Sequence, residues 1–301
     1  MLTMGTEGVR DMEPKKIAVV GTGTMGQGIA VMLASKGLEV FLYDKTPELL
    51  RHSVIAIETH LDRQLERWAL TVQEKKLILS KLHQVTDIEA LSESQLVIES
   101  ITEHFETKQK LFIELDHLLP PEAIIATNTA TLSLTSLASS LIYPHRTIGM
   151  HFLHPAGQIP MVELVRGMNT SEDTFSRMKR FAEQVLDKES VQVYESPGFI
   201  TTRLICVMIN EAIHTLLEGV ASAEDIDKAM KLGYDFHYGP LEMADRFGLD
   251  SVLASMEALF LEFGDVKYRP NTLLKKTVRS GRLGVKTGRG FFQYTDGGER
   301  V

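Results

Sequence analysis

Six residues near the start of the chain, Gly21-Thr22-Gly23-Thr24-Met25-Gly26, constrain its fold more than any other stretch. They spell G-x-G-x-x-G directly after the wholly apolar run Ile17 to Val20, which reads as a central parallel strand covered on both faces. A helix-like stretch from Met25 to Ser35 follows and stops before Gly37, and Glu39 to Tyr43 reads as a second strand ending in Asp44. In that context each glycine has a task. Gly21 makes the tight turn, Gly23 lets the backbone approach a diphosphate, and Gly26 lets the helix pack closely. The helix start at Thr24 and Met25 offers N–H groups and partial positive charge to an anion. Asp44, 18 residues after Gly26, stands where an acid holds the adenosine ribose hydroxyls. A carboxylate there repels a 2′-phosphate and favours NAD over NADP, with Lys45 beside it working the other way.

Further along, Leu96 to Ile98, Ile124 to Thr127, Thr147 to Met150 and Val191 to Tyr194 read as strands. Helical stretches alternate with them at about 106–119 and 171–186. Pro47 can open a helix, and from there to about Ser80 a charged helical pair is expected, with Trp68 anchoring it. After Ser196-Pro197-Gly198 the character changes. Helix patterns follow one another near 200–218, 223–232, 241–247, 250–263 and 271–280, with no strand before Gly290. The expected fold is a Rossmann-type doubly wound, mainly parallel sheet (1–195), carrying the helical pair near 47–80 as an insertion. A smaller all-helical domain (196–301) follows it.

Composition narrows the function classes. Lys and Arg total 32 against 40 Asp and Glu, a net charge of −8, without the basic footprint that nucleic acid requires. The one cysteine, Cys206, excludes an intrachain disulfide, fits a reducing compartment and reads as a buried structural thiol. The first fourteen residues lack a signal-peptide or transit pattern, and no run approaches a membrane span, so a cytoplasmic protein is expected.

With these motifs placed, the chain resembles the 3-hydroxyacyl-CoA dehydrogenases, most closely the short-chain bacterial 3-hydroxybutyryl-CoA enzymes. The resemblance runs from about Lys16 to Tyr294. It rests on the glycine fingerprint, Glu99 to Lys108, Thr127-Asn128-Thr129, His151-Phe152, Met161 to Gly167 and Ser196 to Ile200. Ile209 to Ala212, Glu224 to Gly233, Gly239-Pro240-Leu241 and Lys286 to Phe291 extend it. What it implies is NAD-dependent oxidation of a 3-hydroxyacyl thioester, with His151 as general base and Glu163, twelve residues later, as its partner. A neutral imidazole suits removal of an alcohol proton near neutral pH, and a carboxylate on its far nitrogen fixes the tautomer. The resemblance also implies NAD contacts at Asp44, Glu103, Lys108, Asn128 and Lys286. It implies coenzyme A contacts near His60 and Arg67 and a homodimer formed through the C-terminal helices, beside a substrate cleft. Read without it, Glu103 is a helix-start acid, Lys108 a surface lysine and Lys286 a basic loop residue.

Three positions depart from the family's substrate pocket. Ala130 stands for a serine that bonds the reacting hydroxyl, His154 for an asparagine, and Thr202 for the asparagine before Arg203. Thr131 and Thr202 are expected to replace part of what is lost. Three readings follow: the same reaction on a different acyl group or on acyl carrier protein, a relative acting on a free β-hydroxy acid, or a catalytically impaired NAD-binding homologue. His154 reads as packed on Pro155 or exposed. No metal is expected at His151 and His154, since no third ligand accompanies them.

Overall fold

The computed structural model describes residues 14–295 and 297–301, and the chain divides between Glu195 and Ser196 into two compact units. The N-terminal unit is built on eight strands: β1 (Ile17–Val20), β2 (Val40–Tyr43), β3 (Leu82–Val85), β4 (Leu96–Glu99), β5 (Ile124–Thr127), β6 (Thr147–Phe152), β7 (Met161–Arg166) and β8 (Glu189–Tyr194). They form one sheet in the order β3-β2-β1-β4-β5-β6-β7-β8. Every neighbouring pair is parallel except β6 and β7. The chain walks outward from β1 to β3 and then crosses back to β4. This leaves a topological switch between β1 and β4, and such a switch opens a ligand crevice at the carboxyl ends of the strands.

The central strands divide their side chains between two cores, as a period of two requires. Ile17 and Val19 enter one cluster with Ile29 and Leu33 of helix α1 (Thr24–Ser35). Ala18 and Val20 enter the other with Phe112 and Leu115 of helix α4 (Phe105–Leu118). Between them come the paired helices α2 (Pro47–Glu66) and α3 (Val72–Ser80). Thr46 caps α2 ahead of Pro47, and Thr71 and Glu74 form a reciprocal capping box at α3. Short α5 (Leu134–Ala138) and α6 (Glu172–Arg180) complete the unit among its named α-helices.

The sheet and its flanking helices match the expected fold class, with three corrections. Strand β3 was not expected, because its Leu-His-Gln-Val sequence lies at the sheet edge and is only half-buried. Strand β7 also escaped, its Met-Val-Glu-Leu-Val-Arg run being broken by a charge at the buried third position. Trp68 does not anchor the helical pair: it is 95% exposed, in a left-handed turn (φ 58°) after α2. Leu50, Ile57 and Leu61 of α2 and Ile78 of α3 supply the anchorage instead.

The C-terminal unit is helical: α7 (Thr201–Leu217), α8 (Ala223–Tyr234), α9 (Pro240–Phe247), α10 (Leu249–Phe263) and α11 (Thr272–Arg279). Its own core gathers Ile209, Ile213, Leu241, Met256, Leu259 and Leu274. Cys206 is buried here, and that burial pushes its thiol up to about 12, which rules it out as a nucleophile. Among the described residues no helix is long and apolar enough to cross a membrane, and no cluster of side chains is suited to hold a metal ion.

Candidate active site

The glycine turn leaves β1 at the switch point. Gly21 has φ +93° and lies against β4's exit, where a Cβ would come 2.6 Å from the Ser100 carbonyl carbon. Gly26 is pressed against the Gly21 carbonyl oxygen, so neither position tolerates a side chain. Gly23 differs: a Cβ there would meet nothing within 4 Å. It is also the N-cap of α1, with no side-chain cap and no acid in the first turn. The opening helix therefore presents N–H groups and dipole across open space, which fits the diphosphate of a dinucleotide.

At the end of β2, Asp44 leans over this turn. Its Oδ2 accepts from both the Thr22 N–H (2.8 Å) and the Thr22 hydroxyl (2.7 Å), and its Oδ1 accepts from the Lys45 N–H (2.8 Å). The carboxylate is thus held in one orientation at the turn. The turn and the acid together fit NAD.

Two strands away from the switch, on the same carboxyl edge of the sheet, β6 ends with His151 and Phe152. Antiparallel pairing sets His151 directly opposite Glu163 of β7, so both side chains leave the same face. The Nδ1 of His151 lies 2.6 Å from Glu163 Oε2, with Glu163 fully buried and His151 6% exposed. A carboxylate can only accept, so this bond puts the proton on Nδ1 and makes Nε2 the basic nitrogen. Asn128, just beyond β5, accepts the Phe152 N–H on its Oδ1 (2.8 Å) and ties the β5 exit to the end of β6.

Glu103 and Lys108 sit in a tighter arrangement than the sequence suggested. Lys108 is no surface lysine. It is 1% exposed, 2.6 Å from the fully buried Glu99 and 3.4 Å from Glu103. Glu103 Oε1 accepts from the Thr129 hydroxyl (2.5 Å), the Ala130 N–H (3.0 Å), and the Thr131 N–H and hydroxyl (both 3.1 Å). Burial alone would raise the Glu103 carboxyl, but the Lys108 charge and these bonds outweigh it and hold it below the ordinary value. Thr131 spends its hydroxyl proton on Glu103, which leaves the oxygen free to act only as an acceptor. Glu99 was not singled out from sequence. The signal available was a carboxylate closing the otherwise apolar strand Leu-Val-Ile-Glu.

His154 is exposed, at a cis peptide bond to Pro155. Although the residue is exposed, partial desolvation of the ring and then the charge of His60 push its imidazole down. His60 is likewise lowered, by burial and then Arg63, and its ring is 2.9 Å from the Gln64 amide. Arg67 caps the C-terminus of α2. Thr202, in the first turn of α7, and Lys286, 2.6 Å from Asp250, belong to the C-terminal unit.

Residues 16–196 match the family described as 3-hydroxyacyl-CoA dehydrogenase, NAD binding domain, and residues 198–294 match the 3-hydroxyacyl-CoA dehydrogenase C-terminal domain. A probable 3-hydroxybutyryl-CoA dehydrogenase of Bacillus subtilis is 41% identical over 285 residues, covering 95% of this chain and 99% of the relative. A 3-hydroxybutyryl-CoA dehydrogenase of Bradyrhizobium diazoefficiens is 42% identical over 280 residues, covering 93% and 95%. Among solved structures, an (S)-3-hydroxybutyryl-CoA dehydrogenase from Ralstonia eutropha superimposes with a TM-score of 0.85 at 40% identity, covering 94% of this chain and all of the other. On this sequence, sheet and site, the chain belongs to the 3-hydroxyacyl-CoA dehydrogenase family and carries that family's NAD-binding domain as its N-terminal unit.

Proposed function

We propose that the protein oxidises the 3-hydroxyl of a short-chain 3-hydroxyacyl-CoA, 3-hydroxybutyryl-CoA foremost, to the 3-ketoacyl thioester, and that the reaction is reversible. The observation that carries this reading is the His151–Glu163 pair at 2.6 Å, on the same sheet edge as the glycine turn. Bound NAD supplies the acceptor for the hydrogen and electron pair that leave carbon 3. The chain's own residues handle the proton. His151 Nε2 takes it from the substrate hydroxyl, and Glu163 stabilises the imidazolium through Nδ1, so the charge forms beside a buried carboxylate. In the reverse direction the imidazolium returns the proton to the ketone oxygen. Asp44 holds the adenosine ribose, and Asn128 keeps the backbone beside His151 in place.

The intact pair speaks against a catalytically impaired homologue. The carrier is tested by a substrate panel of hydroxyacyl-CoA, hydroxyacyl carrier protein and free hydroxy acids, followed by NADH absorbance. Turnover confined to the CoA esters is the expected outcome; turnover on free acids alone overturns the reading. Replacing His151 by Gln should lower kcat by roughly 10²–10⁴-fold, and unchanged turnover would remove it as the base.

The protein is further proposed to work as a homodimer through its C-terminal helices, in the cytoplasm. Leu204 and Leu217 of α7, Leu232 of α8 and Leu261 of α10 are all at least half exposed, apolar side chains that a partner copy would cover. A stable interface would bury above about 1,000 Å². Sedimentation at micromolar concentration should give the dimer mass.

A further inference from the structure

Glu99 is fully buried at the carboxyl end of β4, and its carboxylate is held by groups of the protein itself. Its Oε1 accepts from the Ile101 N–H (2.6 Å) and the Lys108 ammonium (2.6 Å), and its Oε2 accepts from the Thr127 hydroxyl (2.6 Å). The same Thr127 oxygen accepts the Thr129 N–H at 3.1 Å. The Glu99 carbonyl meanwhile accepts the Asn128 N–H at 2.8 Å. Residues 127, 128 and 129 are therefore each tied to Glu99 directly or through one hydroxyl. From this segment Asn128 reaches across to the Phe152 N–H, one residue from His151.

The connection runs in the other direction as well. Ser100, next to Glu99, donates its N–H to the Val20 carbonyl at 2.7 Å and forms the wall against which Gly21 is packed. Lys108 also lies between Glu99 and Glu103, whose carboxylate gathers the loop groups of residues 129–131. An apolar residue at position 99 would complete the β4 core at less desolvation cost, because a fully buried ion pair gives weak net stabilisation. Burial indeed pushes the Glu99 carboxyl above the ordinary value, with Lys108 opposing. A charge kept there at that cost calls for a role that an apolar side chain could not fill.

We propose that Glu99 is a positioning residue for the reaction. Acting through Thr127 and Lys108, it holds the β5 exit in the one arrangement that aligns Asn128, and through it His151, with the glycine turn. This rests on His151 serving as the base. It assigns Glu99 no contact with substrate or cofactor, and it makes the Thr127 hydroxyl the link between the buried ion pair and the catalytic strand.

The test uses the full-length protein. Thr127→Val keeps shape and removes only the hydroxyl, whereas Thr127→Ser restores it. Thr127→Val is expected to lower kcat roughly tenfold, the scale of a sub-ångström misplacement of a reacting group. The NAD dissociation constant, read by NADH fluorescence displacement, should stay within about twofold, and Thr127→Ser should keep wild-type kcat. Glu99→Gln should lower kcat similarly, and the double variant should fall no further than either single one, since both cut the same chain. If Thr127→Val melts earlier but keeps kcat when folded, the pair is core structure only and the proposal is overturned. Losses that simply multiply in the double variant would overturn it too. Should Glu99→Gln fail to fold, the Thr127 pair decides alone. A His151→Gln control separates this question from that of the base, because its outcome does not depend on Thr127.

Discussion

Thr22 stands between the first two glycines of the fingerprint and gives both its hydroxyl and its N–H to one oxygen of Asp44. That double bond keeps the carboxylate over the turn, where it would meet a 2′-phosphate. Thr22→Val removes one bond, worth about 0.5–1.5 kcal/mol net, so the ratio of kcat/KM for NAD over NADP should fall by about 2- to 12-fold. Thr22→Ser should hold the ratio near wild type. At the dyad, Glu163→Gln substitutes a group that can donate towards Nδ1 and so favours the wrong tautomer. The expected loss in kcat is on the order of 10²–10⁴-fold, with KM little changed. Legibility at this scale was uneven. The glycines and Asp44 stood in a strand-turn-helix motif, whereas His151 and Glu163 were named only through the family resemblance. Lys108 was a cofactor contact by the resemblance and a surface lysine without it, and only the second reading fails, because it precedes Leu111, Phe112 and Leu115 by three, four and seven residues and so falls on the buried stripe of α4. A lysine on that stripe signals a buried partner, and the partner, Glu99, lay on another element that periodicity cannot reach.

Helix α9 shows how one element can be started by another. Pro240 is its first residue, and the N–H groups of Leu241 and Glu242 both donate, at 2.9 Å, to Asp227 of α8. Gly239 is required beside it, because a Cβ there would run into the Asp227 side chain. Asp227→Ala strands two buried N–H donors and should destabilise the protein by about 1–3 kcal/mol in urea titration, with the NAD site in the other unit unaffected. The five long helices of the C-terminal unit were readable because apolar residues recur at helical spacing and Ser222, Gly239 and Asn271 punctuate them. Strands β3 and β7 were not, for opposite reasons. β3 is too polar to stand out, being an edge strand whose His83 and preceding Lys81 are held by Glu39. β7 carries a buried carboxylate whose hydrogen-bonding partner is supplied by β6.

For the whole molecule, acids whose titration is shifted pull stability in opposite directions as pH falls. Glu103 is held below its ordinary value, so its contribution is present above 4.5 and is lost as pH drops through its folded pKa. Glu99, Asp227 and Asp245, the last a buried acid of α9 that accepts the Phe291 and Phe292 N–H groups, are raised, chiefly by burial. Their contribution is therefore present below the ordinary carboxylate values and is lost as pH rises through their folded pKa values. The stability gap between wild type and Glu103→Gln should accordingly be widest at neutral pH and close below 4.5, measured by chemical denaturation across that range. A gap independent of pH would mean that the Glu103 charge has no part in holding the loop.

Because β7 runs back along β6, the imidazole and its acid meet through strand register, whatever the length of chain that joins them. Residues 153–160 can thus lengthen or shorten by evolution or by design without parting the two groups, provided the ladder is kept. A slip of a single residue within Met161–Arg166 would instead turn Glu163 to the far side of the sheet and leave His151 facing an aliphatic neighbour. Distant enzymes built on this plan are therefore better recognised by which residues face each other across that antiparallel pair than by a fixed number of positions between histidine and glutamate.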